Sequence, residues 1–386
     1  MPSDLRLTVV NAAFDPAAPG PEALLDRYAT LTGWCDAMTE AGASVRVVQR
    51  YSRARQVQRG GVEYVFVADG RPAVLPARTG SSPVAEAVAL SRPHLLHVNG
   101  LGFPALLPSL RRAAREAVLV VQDHAGARPP DGSVVGAWRR LAWRRGLGVV
   151  DAVSFTAEAQ ARAWQDAGIL RRQHVLGLIE SSTGVRPAPR IEARRRTGLR
   201  GDPLVLSVGR LVPGKEPLAV LAAFERLAAV RPAARLAFVY QNGPLEPALR
   251  AAIAAAPTLE GRVTLVGGVA HAAIGDYYGA ADLFVSGSRA EGSGYALIEA
   301  MACGLPPVVT DIPPFRAIAG PCGRYWRPGD VDEAAAALVE MASLDLAAER
   351  TRVRAQFEQE LSWAAIASRT LGVYRELLAT TRVRDR

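Results

Sequence analysis

The chain has 386 residues, of which 49% are hydrophobic and 22% charged, and its formal net charge is +9. This length favours two domains, because a domain usually contains about 100–200 residues. The apolar fraction excludes disordered and fibrous classes. No run reaches the ~20 apolar residues of a membrane-spanning helix, and the first residues lack the apolar core of a signal peptide. We therefore expect a cytoplasmic protein.

The basic residues are almost all arginine, and Lys215 is the single lysine among 46 lysines and arginines. Chemistry that needs a lysine Schiff base, such as that of pyridoxal phosphate, would have to use Lys215. The arginines are spread along the chain without a nucleic-acid-binding motif, so we expect no nucleic-acid partner. Cys35, Cys303 and Cys322 lack metal-ligand spacing, and reduced thiols fit this odd number best.

Apolar runs of strand length alternate with longer helical stretches, which is typical of parallel α/β sheets. In the first half, the predicted strands are 5–10, 44–49, 62–67, 95–98, 117–121 and 152–156, with helices at 24–41 and 134–147. Between 180 and 200 the pattern weakens, which we interpret as a linker. In the second half, the predicted strands are 204–208, 235–240, 262–266, 283–286 and 307–310, with helices at 217–230, 295–303, 331–344 and 362–379.

The segment Ala137–Arg145 combines arginine and tryptophan and precedes the strand at 152–156. Two interpretations stay open for its helix. The helix could lie on acidic lipid at the inner membrane face. The competing interpretation, which we favour, is an amphipathic helix whose core stripe is Val135, Trp138, Leu141 and Ala142.

The loop after the strand at 204–208 reads Gly209-Arg-Leu-Val-Pro-Gly-Lys215. It matches seven positions of the P-loop pattern, but Glu216 stands where that pattern needs Ser or Thr for magnesium, which disfavours a P-loop. Arg210 and Lys215 could still bind a diphosphate near a helix N-terminus. The guanidinium of Arg210 can donate two parallel hydrogen bonds, and the ammonium of Lys215 supplies a compact positive charge. The alternative is two surface cations in a turn.

Two glutamates bracket the start of the predicted helix at 295–303. Glu291 precedes a turn in which Gly292 and Gly294 allow the backbone to approach a ligand closely. Glu299 lies one turn into the helix among apolar residues, where a carboxylate is costly without partners. A vicinal diol such as that of a ribose offers two hydroxyl donors, which one carboxylate can accept together. A solvated or salt-bridged side chain is the alternative for either glutamate.

In this order, the motifs resemble the retaining GT-B glycosyltransferases of family 4. The E-x₇-E pair and the loop ending in Lys215 carry the resemblance, with further matches at 241–244, 266–269, 278–282 and 299–304. Residues 361–363 and 373–376 resemble the family's closing helix, which crosses back to the first domain. The resemblance implies two doubly wound Rossmann-like domains with an interdomain cleft. It places an acceptor-side domain at 1–180, a donor-binding domain at 181–363 and a returning helix at 364–386.

The resemblance also implies roles for single residues. Arg210 and Lys215 would bind and stabilise the departing diphosphate, Glu299 the ribose hydroxyls, and Glu291 and His124 would face the donor sugar. The implied catalytic residues are His124, Arg210, Lys215 and Glu291. The implied donor-binding residues are Gly209, Arg210, Lys215, Asn242, Gly243, Glu291, Gly292, Ser293, Gly294, Tyr295 and Glu299. No metal or other cofactor is implied.

The first domain matches the family less well. The family usually has a Gly-Gly loop after the first strand, whereas only Gly20 could approach the phosphates here. We expect His97 to be structural, and Asp123 either to orient His124 or to serve as a loop carboxylate.

The expected reaction is transfer of a glycosyl group from a nucleoside diphosphate sugar to an acceptor hydroxyl, with retention at the anomeric carbon. Two alternatives stay open: a sugar-nucleotide epimerase of GT-B-like fold, and a non-catalytic nucleotide-binding protein.

Overall fold

The computed structural model describes residues 5–76, 78–130, 133–241 and 243–384. The chain divides into two compact units. The first contains Met1–Glu180 and Trp363–Arg386, and the second contains Ser181–Ser362. None of the described helices combines the length and hydropathy needed to cross a membrane.

The first unit alternates strands and helices. Its elements are β1 (Leu5–Asn11), α1 (Pro21–Arg27), α2 (Ala29–Glu40), β2 (Ala43–Tyr51), β3 (Arg55–Arg59), β4 (Val62–Ala68), α3 (Ser82–Ser91), β5 (Leu95–Asn99), α4 (Leu107–Ala113), β6 (Val118–Gln122), α5 (Val134–Leu147), β7 (Ala152–Phe155), α6 (Arg162–Asp166) and β8 (His174–Gly177).

The second unit repeats this alternation. Its elements are α7 (Arg190–Thr197), β9 (Leu204–Val208), α8 (Pro217–Val230), β10 (Arg235–Val239), α9 (Glu246–Ala255), β11 (Val263–Gly267), α10 (Ile274–Ala280), β12 (Leu283–Ser286), α11 (Tyr295–Ala302), β13 (Pro307–Thr310), α12 (Pro313–Ala319), β14 (Arg324–Trp326), α13 (Val331–Ala342) and α14 (Leu346–Gln356), with a π-helical turn at Phe357–Leu361. The final helix, α15 (Trp363–Arg384), belongs to the first unit.

Each unit is built on one sheet. The first sheet has the order β3-β4-β2-β1-β5-β6-β7-β8, with only β3 antiparallel to its neighbour. The second has the order β11-β10-β9-β12-β13-β14 and is parallel throughout. The central strands are buried because helices cover both faces of such sheets. The doubly wound α/β prediction is therefore confirmed.

The final helix is held in the first unit by a buried polar contact. The Tyr374 hydroxyl lies 2.7 Å from Nδ1 of His97, and the His97 ring packs 5.0 Å from that of Trp34 on α2. Burial lowers the pKa of His97 to about 3, so this imidazole is neutral. His97 is a structural residue here, as expected.

One helix prediction is wrong in detail, and the predicted linker is partly helical. The predicted helix 24–41 is divided into α1 and α2, because Tyr28 leaves helical backbone angles. The predicted linker at 180–200 contains α7. There Arg190 and Arg194, one helical turn apart, bind Asp282 at 2.6 and 2.9 Å, which fixes this arginine-rich stretch to the second sheet.

A third correction concerns α5. Its predicted core stripe points outward: Val135, Trp138 and Leu141 are exposed, and Ala142 is half-buried. Trp143 and Leu147 form the buried face instead.

Candidate functional site

The predicted site residues of the second unit gather outside the carboxyl ends of β9 and β12. These two strands are neighbours in the sheet, although β10 and β11 separate them in sequence. The strand order reverses at this point, and ligands of open parallel sheets bind at such reversals. The loops 209–216 and 287–294 leave the two strands here.

The loop after β9 begins with Gly209, whose φ is +154°. No atom would lie within 4 Å of a Cβ at this position, so the backbone is open to a ligand. Arg210 is exposed and forms no ion pair with any described residue. A 3₁₀ turn at Pro213–Lys215 then leads to Glu216, which pairs with Arg289 of the second loop. Glu216 therefore joins the two loops.

Lys215 and Glu291 form an ion pair across the two loops. The Ser288 hydroxyl donates to the same carboxylate at 2.7 Å, and the Thr310 hydroxyl donates to the Ser288 carbonyl at 2.5 Å. The two charged side chains are therefore about neutral as a pair, and both are partly accessible to solvent.

Glu299 lies one turn into α11 and is largely buried. Its Oε2 accepts a hydrogen bond of 2.9 Å from the Tyr278 hydroxyl, and its Oε1 lies 3.9 Å from Nδ1 of His271. Burial raises the pKa of the Glu299 carboxyl, while Tyr278 and His271 partly offset this by favouring the charged form. One carboxylate oxygen thus lies toward an exposed histidine and the other is fixed by a buried tyrosine.

A cavity of about 220 Å³ joins the loop after β9 to α11, and both Arg210 and Glu299 line it. Gly209, which follows β9, also lines it, as do Tyr240 and Gln241, which follow β10. An adjoining cavity of about 470 Å³ is lined by Gly243 with the same Tyr240 and Gln241. Asn242, the remaining predicted contact of this loop, lies outside the described residues.

The turn before α11 brings backbone toward the site. Gly292, Ser293 and Gly294 are buried, and Tyr295, the first residue of the helix, is exposed. Gly294 has a φ of +67° and caps α11. A Cβ there would lie 2.5 Å from Cδ1 of Ile318, so that side chain would have to shift, and the positive φ itself favours glycine.

His124 follows β6 in the first unit. It is half-buried, its Nδ1 lies 3.9 Å from Oε1 of Glu180, and burial lowers the pKa of its imidazole. Asp123 accepts the backbone N–H groups of Ala125 and Ala127 at 3.1 and 2.9 Å. Asp123 is therefore a loop carboxylate, the second of the two interpretations above.

The loop after β1 is fixed by two residues of β2. Buried Arg50 donates to the Ala12 carbonyl at 2.6 Å, and the Tyr51 hydroxyl donates to the Ala18 carbonyl at 2.8 Å. Gly20 comes next, as the extended residue that caps α1. Its contact with a ligand stays a prediction.

Sequence reasoning missed three side chains that hold the carboxylates: Tyr278, Ser288 and His271. Tyr278 could have been found, because a tyrosine in an apolar helix needs a partner for its hydroxyl. Nothing in the sequence around Ser288 and His271 distinguishes them from surface residues.

Comparisons with known proteins agree with this geometry. The family model described as glycosyl transferases group 1 matches residues 189–357. These residues are thus similar to the glycosyl transferases group 1 family. The matched segment lies within the second unit and spans every predicted donor-binding residue.

Curated relatives extend the similarity. D-inositol 3-phosphate glycosyltransferase of Thermobispora bispora is 34% identical over 208 residues, which cover 50% of this chain and 48% of that protein. The chain thus matches about half the length of this relative. GDP-mannose-dependent alpha-mannosyltransferase of Mycolicibacterium smegmatis is 29% identical over 321 residues, which cover 81% of this chain and 79% of that protein.

Solved structures share the fold at low identity. Sucrose-phosphate synthase from Thermosynechococcus elongatus aligns with a TM-score of 0.67 at 21% identity, covering 97% of this chain and 100% of the other. The catalytic domain of starch synthase IV from Arabidopsis thaliana aligns with a TM-score of 0.68 at 13% identity, covering 97% and 99%. The chain therefore has the GT-B fold.

Proposed function

We propose that this chain is a retaining glycosyltransferase that moves a hexose from a nucleoside diphosphate sugar to an acceptor hydroxyl. The observation that supports this most strongly is the cavity lined by both Arg210 and Glu299. It joins a cation suited to phosphate with a carboxylate suited to a ribose diol, and Lys215 and Glu291 form an ion pair on the two loops that bound the site.

Arg210 and Lys215 stabilise the leaving diphosphate in this proposal. Negative charge grows on the phosphate oxygens as the bond to the sugar breaks, and fixed cations lower the energy of that state. The reaction then needs no metal ion. Lys215 is held by Glu291 before the donor arrives, so the donor phosphates compete with a carboxylate for the ammonium group. Glu291, once released, faces the sugar.

We infer a front-face substitution. The bond from the anomeric carbon to the phosphate oxygen breaks as the bond to the acceptor oxygen forms on the same face. The acceptor proton passes to the departing phosphate oxygen. Because attack and departure occur on the same face, the configuration at the anomeric carbon is retained. His124, neutral because burial lowers its pKa, contributes hydrogen bonding near the sugar.

The relatives suggest which substrates to test first. One matches 81% of this chain and is named for GDP-mannose. Another is named for D-inositol 3-phosphate, which has acceptor hydroxyls. We include a cytoplasmic location in the proposal, since Cys35, Cys303 and Cys322 are free and buried, as thiols of a reducing compartment can be.

Replacing Lys215 with alanine tests the proposal. We expect Lys215→Ala to lower acceptor-dependent turnover by at least about 100-fold, because one fixed charge at the leaving group is lost. Arg226→Ala is the matched control, since Arg226 is an exposed cation of the same unit that pairs with Asp332. Sugar transfer is followed by mass spectrometry of the acceptor.

Near-normal turnover by Lys215→Ala would overturn the proposal. Donor isomerisation without acceptor would favour an epimerase instead, and donor binding without turnover would favour a non-catalytic protein.

The same assay in excess EDTA should show unchanged turnover, and a loss restored by Mg²⁺ would contradict metal independence.

A further inference from the structure

Helix α5 has an apolar outer face. Val135, Trp138 and Leu141 are 67%, 61% and 39% exposed, and their spacing of three residues places them along one side of the helix. The opposite side carries buried Leu147 and Trp143, whose ring packs on Trp164 at 5.1 Å. The helix is thus anchored by its inner face, and the outer apolar side chains add nothing to the core.

The same outer face is strongly basic. The helix contains four arginines (139, 140, 144 and 145) and no acidic residue. Arg139, Arg144 and Arg145 are exposed, and none of them forms an ion pair with a described residue. At about 100° per residue, Arg145 falls on the face of Trp138, with Arg139 and Arg144 at its two margins.

This combination is confined to α5 within the first unit. The other exposed large apolar side chains among its described residues, Val74 and Leu90, lie singly on other segments. Scattered apolar side chains are normal on a protein surface, whereas a contiguous group indicates an interaction surface.

We propose that the outer face of α5 binds the surface of an anionic lipid bilayer. Tryptophan and aliphatic side chains enter the boundary between headgroups and acyl chains, while arginines remain at the depth of the lipid phosphates. Charge complementarity selects this occupant, because each arginine near an anionic leaflet adds to binding. A second copy of the chain would bring the same arginines against each other.

Vesicle co-sedimentation tests this inference on the full chain without nucleotide sugar, so the result is independent of the proposed transferase activity. We expect binding to vesicles of phosphatidylglycerol and phosphatidylcholine, and much weaker binding to phosphatidylcholine alone. Trp138→Ala/Leu141→Ala should weaken binding by about tenfold or more through lost apolar insertion. Arg144→Gln/Arg145→Gln should weaken it by about thirtyfold through lost charge.

Matched control variants distinguish binding by this face from nonspecific hydrophobic or electrostatic adsorption to the vesicles. Val74→Ala/Leu90→Ala removes two exposed apolar side chains elsewhere in the same unit, and Arg53→Gln/Arg78→Gln removes two exposed arginines that form no ion pair with a described residue. Both controls should bind as the parent does, and circular dichroism should show all variants folded. Equal binding to both vesicle types, or unaltered binding by both α5 variants, would overturn the inference. So would self-association that the α5 variants abolish.

Discussion

Glu299 shows how a single residue balances stability against binding. Burial disfavours its charge, yet the proposed contact with ribose hydroxyls needs the charged form as acceptor. The Tyr278 hydroxyl and the nearby His271 compensate only in part, so the pKa of the carboxyl remains raised. The site therefore holds a charged carboxylate that its buried surroundings disfavour, as is common at functional sites.

A pH dependence follows for donor binding. On acidification, Glu299 takes up its proton at a higher pH than an ordinary glutamate, because its pKa in the folded protein is raised. We expect donor affinity to fall, by up to about tenfold per pH unit, once the pH is below that raised pKa. Calorimetric titration with a nucleoside diphosphate across the acidic range measures this.

Glu299→Gln is the test variant, with Glu260→Gln, at an exposed position of the same unit, as its control. Glu299→Gln should weaken donor binding at neutral pH and remove the acid-dependent step. The folded state binds the Glu299 proton more tightly than the unfolded state, so this residue's stabilising contribution is lost as pH rises through the raised pKa. The variant should therefore melt higher than the parent at pH 7 without donor. A lower melting temperature there would contradict this assignment.

At the scale of elements, the start of α11 depends on the backbone conformation of one residue. Gly294 adopts a φ of +67°, and a Cβ there would displace the end of the Ile318 side chain. We expect Gly294→Ala to destabilise the protein by about 1–2 kcal/mol, since a side chain is disfavoured at positive φ. It should also weaken donor binding, because the turn moves.

Gly372→Ala is the matched control in α15. A Cβ at Gly372 would meet no atom within 4 Å, and a glycine inside a helix costs about 0.5–1 kcal/mol relative to alanine. This variant should therefore be more stable than the parent. Chemical unfolding of both variants measures the difference, and equal effects at the two positions would contradict the argument from φ.

Helices and strands could be predicted from the sequence where burial produces a regular pattern of apolar residues. Most strands of both sheets follow from their apolar runs, and α5 and α8 end where the pattern does. The three missed strands, β3, β8 and β14, are all sheet edges. Edge strands need less apolar surface, and Arg55–Arg59 is mostly exposed and charged or polar. The outward face of α5 was missed because apolar periodicity does not say which neighbour covers it.

For the whole molecule, the predicted donor residues belong to one unit and His124 to the other. Local motifs identified Arg210, Lys215 and Glu291, because each lies near a strand end or beside a glycine, and Glu299, because it is a carboxylate among the apolar residues of α11. The side chains that orient them could not be predicted in the same way. Tyr278 and Ser288 meet the carboxylates only through folding, at 21 and 3 residues' separation.

Ligand binding should stabilise the entire fold. A ligand at 100 times its dissociation constant adds about 2.7 kcal/mol to the unfolding free energy, if it binds only the folded protein. A thermal-shift panel of nucleoside diphosphate sugars should therefore raise the melting temperature for at least one donor. That shift should vanish in Lys215→Ala and persist in Arg226→Ala. Stabilisation by none of them would count against a donor site.

Because the chain has a single lysine, chemical labelling of that residue can measure whether the proposed phosphate site is occupied. An amine-directed reagent can modify only one side chain, Lys215, and that side chain belongs to the proposed phosphate site. Protection of this amine by a bound nucleotide would appear in an intact mass spectrum as the loss of one label. Occupancy of the site can thus be read directly, without a tag, a fluorophore or a substitution.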